Sequence, residues 1–114
     1  MASRFAYQLT EKAERDLDEI VSYIAIQLEN KQAATEFINK LQDVILEACF
    51  FPESGSPVNN ELISNKSIRK KVVGNYIMYY FLDKSSEMIY ILRILYGRKN
   101  LDMIIREIGS GQPQ

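Results

Sequence analysis

The side chains able to do chemistry in this chain are cationic and phenolic. There is no histidine and a single cysteine, Cys49. The commonest general base and the commonest transition-metal ligand are therefore missing, and a zinc site is not expected. The five glycines are scattered, with no phosphate-cradling loop. No residue receives a catalytic role, and no cofactor or metal is expected. What remains is a set suited to an acidic partner: Arg69, Arg93, Tyr96, Arg98 and Lys99. Guanidinium and ammonium groups steer association with anionic surfaces, and tyrosines pack in sheets or stack on nucleic-acid bases. Arg93 stands in a largely apolar run. A buried arginine needs a partner, so it is either half of a structural salt bridge or part of a functional site. Lys70 and Lys71 fit a blunted strand edge as well as a binding patch.

The charge is segregated along the chain although the net value is only −1. Residues 1–65 hold five bases against eleven acids, a balance of −6, and residues 66–114 hold nine against four, a balance of +5. Such asymmetry points to a charged partner.

The elements that must position these groups follow from periodicity. Phe5, Tyr7 and Leu9 alternate, which predicts a short strand with one buried face. Thr10 is a natural N-cap, with Glu11 in the first turn. Ala13, Leu17, Ile20, Val21, Ile24 and Leu28 then form a helical stripe to about Glu29. Asn30 caps a second helix carrying Ala34, Phe37, Ile38, Leu41, Val44, Ile45 and Ala48, and Pro52 ends it. The two helices form an antiparallel hairpin, and Cys49 beside the second stripe reads as a small buried residue. The stretch from Glu53 to Ser67 reads as a loop with one helical turn near Glu61 to Ile63.

Three strands follow: Ile68 to Val73, Tyr76 to Leu82 and Met88 to Leu95. Gly74-Asn75 is a two-residue hairpin turn that sets Val73 opposite Tyr76 and Arg69 opposite Tyr80. Arg69, Lys71, Tyr76, Met78 and Tyr80 then share one face, and Ile77, Tyr79 and Phe81 share the other with Lys70. A three-residue turn at Lys84-Ser85-Ser86 would set Ile77 opposite Arg93. Leu101, Ile104, Ile105 and Ile108 predict a short last helix ended by Gly109. The fold class is α+β: an N-terminal strand, a helical hairpin packed on a small, mostly antiparallel sheet, and a short C-terminal helix. Residues 1–109 make one domain and residues 110–114 a disordered tail. No apolar run approaches the roughly 20 residues of a membrane span, and a cytoplasmic location is expected.

The order of these elements resembles the RelE/ParE superfamily, the toxins of type II toxin–antitoxin modules. The carrying residues are Leu9 to Ile20, Phe51-Pro52-Glu53-Ser54-Gly55, Val72 to Tyr80, and Ile91-Leu92-Arg93-Ile94-Leu95-Tyr96-Gly97-Arg98-Lys99-Asn100-Leu101. The resemblance implies a growth-inhibiting toxin, of the plasmid-stabilisation type, neutralised by a cognate antitoxin. It also implies a homodimer or a toxin–antitoxin hetero-oligomer. Ile77, Tyr79, Phe81, Leu101 and Ile105 are the antitoxin-binding candidates. Within the superfamily, RelE-like members cleave messenger RNA on the ribosome. They usually carry a base where Ile77 stands, histidine or lysine then arginine where Tyr96-Gly97 stand, and often a tyrosine near Leu101. ParE-like members act on DNA gyrase, and the long helical hairpin and the end of the last strand look more ParE-like. In that subgroup the ring at Tyr96 is often histidine. Three readings stay open: a non-enzymatic gyrase inhibitor, a RelE-type endoribonuclease with ribosome and messenger RNA as partners, and a degenerate member that only binds antitoxin.

Overall fold

In the computed structural model the described residues are 4–58 and 67–97. They form β1 (Ala6–Leu9), α1 (Glu11–Ser22), α2 (Lys31–Phe50), β2 (Ser56–Pro57), β3 (Ile68–Val73), β4 (Tyr76–Asp83) and β5 (Met88–Tyr96). The sheet order is β1-β5-β4-β3-β2; β1 runs parallel to β5 and the other pairs are antiparallel. This is the expected α+β architecture, enlarged by the two-residue strand β2 inside the segment that reads as a loop. The expected turn at Glu61 to Ile63, the last helix and the tail lie outside the described residues.

Local chemistry starts both helices as expected. The Thr10 hydroxyl accepts from Ala13 N–H (3.1 Å), and the Asn30 carbonyl oxygen accepts from Ala33 N–H (2.9 Å). Such caps satisfy donors that have no partner within the helix. The first helix is not continuous to Glu29, however. It ends at Ser22 and passes into a π-helical turn over Tyr23–Gln27. Leu28, the last residue of the stripe, is largely exposed at the tip of the hairpin, so the stripe outruns the core it serves. Glu29 takes a φ of 49°, which reverses the chain into α2.

Gly74 has a φ of 61°, and Val73 pairs with Tyr76 and Arg69 with Tyr80, as the turn predicts. A positive φ at the first central position alone is the II′ pattern, where glycine is favoured. The next hairpin departs from expectation twice. Its loop is one residue longer, Lys84–Glu87, with Asp83 opposite Met88. A bulge then sets Tyr79 opposite Arg93 but Tyr80 opposite Ile91, so Leu92 is extra. Ile77 therefore faces Leu95, not Arg93. The face assignments on β4 survive because they rest on its own alternation and on its pairing with β3, which these slips do not touch.

The main core lies between helices and sheet. Leu41, Ile45, Met78, Tyr80, Ile89, Ile91 and Ile94 are buried in it, with Ala13 and Cys49. The other sheet face holds a smaller cluster of Val58, Ile68, Tyr79 and Leu95, flanked by Ile77, Phe81 and Leu92. Tyr7 stands nearly half exposed on β1, so the buried face predicted for that strand is incomplete. No helix among the described residues is long and apolar enough to cross a membrane.

Behind the sheet, Tyr80 ties down the turn between α2 and β2. Its fully buried hydroxyl donates to the Pro52 carbonyl (2.8 Å) and accepts from Gly55 N–H (3.0 Å). A Cβ at position 55 would stand 2.6 Å from that hydroxyl and 2.8 Å from the Lys70 carbonyl, so only glycine fits. Tyr80→Phe keeps the packing but strands the buried Gly55 N–H. We expect a loss of about 1–3 kcal/mol, read as a lower urea midpoint with an unchanged slope. An unchanged midpoint would mean that the tether carries no net stability.

Candidate functional site

The sequence singles out two arginines, and the fold separates them. Arg69 lies on β3 and Arg93 on β5, with β4 between. Each is bound into the structure. One guanidinium nitrogen of Arg69 donates to the carbonyls of Glu53 (3.0 Å) and Gly55 (2.6 Å), the turn that Tyr80 holds from below. Its Nε is buried with no hydrogen-bond partner.

Arg93 takes the salt-bridge alternative. Its Nε and one terminal nitrogen donate to the two carboxylate oxygens of Asp16 at 2.8 and 3.0 Å. The pair is nearly closed to solvent, with the arginine side chain 17% and the aspartate side chain 9% exposed. Asp16 also accepts from the backbone N–H of Ile94 at 3.0 Å. The reason is topological. Strand β1 stops at Leu9, opposite Ile91, so among the described residues β5 beyond that point has no neighbouring strand on this side. Thr10 and Asp16 take its place: Thr10 donates its N–H to Ile91 and its hydroxyl to Leu92, and Asp16 receives Ile94. Asp16 was not among the candidates read from sequence. The available signal is its place three residues after Ala13 and four before Ile20, on the buried stripe where a carboxylate demands a partner.

Tyr96 is 47% exposed at the end of β5. It packs edge-to-face on Tyr76 (5.7 Å), which packs edge-to-face on Phe37 of α2 (5.2 Å). Gly97 follows, its N–H donating to the Asn75 carbonyl (2.9 Å). Arg98 and Lys99 lie outside the described residues, as do Leu101 and Ile105. Of the remaining antitoxin-binding candidates, Tyr79 is buried and Ile77 and Phe81 are half-buried, all in the smaller cluster. They are packed together as expected, but Tyr79 at 3% exposure offers no open surface.

Burial raises the pKa of the Tyr76, Tyr79 and Tyr80 phenols above their ordinary value, so these groups stay protonated near neutral pH. Burial likewise raises the Cys49 thiol against a lowering by Arg4, which leaves the cysteine an inert core residue.

The family model for the ParE toxin of the type II toxin–antitoxin system parDE matches residues 7–101. No curated protein sequence matches the chain. Among solved structures, the chain is similar to one described as a chromosomal ParDE toxin–antitoxin system from P. aeruginosa, with 18% identity and a TM-score of 0.63 over 82% of this chain and 96% of that one. It is also similar to a RelBE toxin–antitoxin complex from Mycobacterium tuberculosis, with 22% identity and a TM-score of 0.56 over 82% and 99%. An archaeal RelE–RelB complex from Pyrococcus horikoshii aligns at 11% identity and a TM-score of 0.53, over 86% and 100%. At these identities the structural likenesses speak to the fold.

Proposed function

Because the chain belongs to the ParE toxin family of type II toxin–antitoxin systems, we propose that it arrests bacterial growth by inhibiting DNA gyrase without cutting RNA, and that a cognate antitoxin neutralises it. The observation that supports this is on the central strand. Where ribosome-dependent nucleases of the superfamily resemblance carry a base, this chain has Ile77, half-buried in an apolar cluster with Tyr79 and Phe81. Cleavage at a 2′-hydroxyl needs a group to take a proton and a cation on the phosphate. The nearby phenols are held protonated, and the sequence has no histidine. Inhibition by binding makes no such demand. It needs an accessible surface, for which Tyr96 is exposed, and cations for an acidic target, which Arg98 and Lys99 supply directly after it in the sequence.

Purified toxin should inhibit supercoiling by gyrase in proportion to its concentration, and ribosome-bound messenger should remain intact. Expression of the chain alone should arrest growth. Coexpression of the protein encoded beside it should restore growth and yield a stable complex. Codon-specific cleavage of messenger with gyrase unaffected would transfer the chain to the nuclease reading.

A further inference from the structure

Strand β1 is an outer strand of the sheet, and three of its four residues are exposed. It bonds to β5 through every second residue: the Ala6 N–H donates to the Glu87 carbonyl and the Thr10 N–H to the Ile91 carbonyl, both at 3.0 Å. Successive residues of a strand turn their backbone groups to opposite sides. Tyr7 and Leu9 therefore turn their N–H and C=O groups away from β5, to the open edge. The Phe5 N–H turns the same way and is taken by the Cys49 carbonyl near the end of α2 (2.9 Å), so pairing along this edge can begin only at Tyr7. The Tyr7 side chain stays nearly half exposed, although Phe5 and Leu9 on either side of it pack against the main core. Beside the start of the strand, the Phe50 ring is half exposed, with the Arg4 guanidinium 5.9 Å from its centroid. Sheet edges are ordinarily guarded by charge, proline or brevity. On the other side of the sheet, β2 is two residues long and contains Pro57. From Ala6 to Leu9 there is neither a charge nor a proline.

We propose that β1 pairs with β1 of a second copy of this chain, antiparallel about a two-fold axis, joining two sheets into one. Tyr7 of each copy exchanges N–H and C=O bonds with Leu9 of the other, and Gln8 stands across the axis from its own counterpart. The strand fits its own copy in three respects. Its free backbone groups lie on alternate residues, so this register satisfies those of Tyr7 and Leu9 together. Opposite Phe5, whose N–H is already taken, the other copy's chain has turned out of the sheet into α1. The strand is also flanked by unlike charges: Arg4 precedes it, while Glu11 and Glu14 outnumber Lys12 in the first turn of α1. Antiparallel pairing brings each start beside the other's end, so unlike charges meet. A strongly charged partner finds no counterpart on the neutral strand itself. Tyr96 ends β5 well beyond Ile91, the last residue that β1 reaches, so the target surface proposed above stays clear in both copies. With few hydrogen bonds and a small apolar contact, the dimer is weak, with a Kd on the order of 10 μM.

Sedimentation of the purified chain at concentrations spanning that Kd should show monomer passing to dimer. Hydrogen exchange at the Tyr7 and Leu9 amides should slow over the same range. Gln8→Lys sets two ammonium groups directly opposite each other and should leave a folded monomer. Gln8→Cys should give a covalent dimer on oxidation, because residues facing each other in a pair without hydrogen bonds have Cα atoms about 4.5 Å apart, within the span of a disulfide. The parent should not crosslink, since Cys49 is buried, and Ala6→Cys should crosslink far less than Gln8→Cys. If Gln8→Lys fails to fold, the crosslink and the exchange of the parent's amides decide. A chain that stays monomeric throughout, or a dimer that forms with Tyr7 and Leu9 exchanging freely, would overturn the proposal. Equal crosslinking through Ala6→Cys and Gln8→Cys would overturn it as random collision. Protection of Tyr7 and Leu9 only when the protein encoded beside this chain is added would overturn it in favour of the antitoxin. None of these results bears on gyrase inhibition, which is read separately by supercoiling.

Discussion

Asp16→Ala should cost about 3–5 kcal/mol of folding stability, the range for breaking a buried, hydrogen-bonded ion pair from one side. The carboxylate does three things at once: it holds two nitrogens of Arg93 and the N–H of Ile94. Against the total of about 5–15 kcal/mol available to an ordinary domain, that loss is large. It should appear as a melting temperature lowered by more than about 10 °C and as poor soluble yield. Asp16→Asn should cost less, because the amide oxygen can still accept from Ile94. The double variant Asp16→Ala/Arg93→Ala should be less destabilised than the sum of the singles, since no buried cation then loses its carboxylate. Additive losses, or a melting temperature unchanged in Asp16→Ala, would show that the pair does not hold α1 to β5.

The parts of the fold legible in the sequence were those set by local chemistry. Thr10 and Asn30 carry side chains that cap the next turn, Gly74-Asn75 suits one tight turn, and Pro52 follows shortly after the end of α2. Each involves a few adjacent residues. The β4–β5 register depended instead on a loop whose Lys84-Ser85-Ser86-Glu87 composition suits three residues as well as four. It depended also on a bulge at Leu92, which no residue type announces. Strand β2 is two residues long and contains Pro57, so alternation had nothing to act on. Its existence rests on long-range ties to Gly55 from Tyr80 and Arg69, 25 and 14 residues further along the chain. The candidate cations were recognisable as such, but their employment was not. Whether Arg93 binds a target or a carboxylate was decided by where β1 stops, and Arg69 by where the Pro52–Gly55 turn lies. In both cases a neighbour distant in sequence took the charge.

The functional prediction with the other large expected effect concerns Arg98 and Lys99, which lie outside the described residues. Arg98→Ala with Lys99→Ala should abolish growth arrest and gyrase inhibition while moving the melting temperature by no more than a few degrees, in keeping with surface changes of about ±0.5 kcal/mol. The chain reaches them directly after Tyr96, half exposed on its aromatic support, and Gly97, anchored to Asn75. They also carry part of the positive surplus of residues 66–114, suited to steering a toxin onto an acidic target. Arg93→Ala should behave differently. Its guanidinium is spent on Asp16, so toxicity should fall only as folded protein falls, and a sample kept folded at low temperature should still inhibit gyrase. Charge alone is a weaker explanation than contact, and salt separates them. A steering patch loses effect as ionic strength rises, whereas a packed contact through Tyr96 persists, so Tyr96→Ala should impair inhibition at high salt as well as low. Full inhibition by the Arg98→Ala/Lys99→Ala variant would move the target-binding surface away from the end of β5.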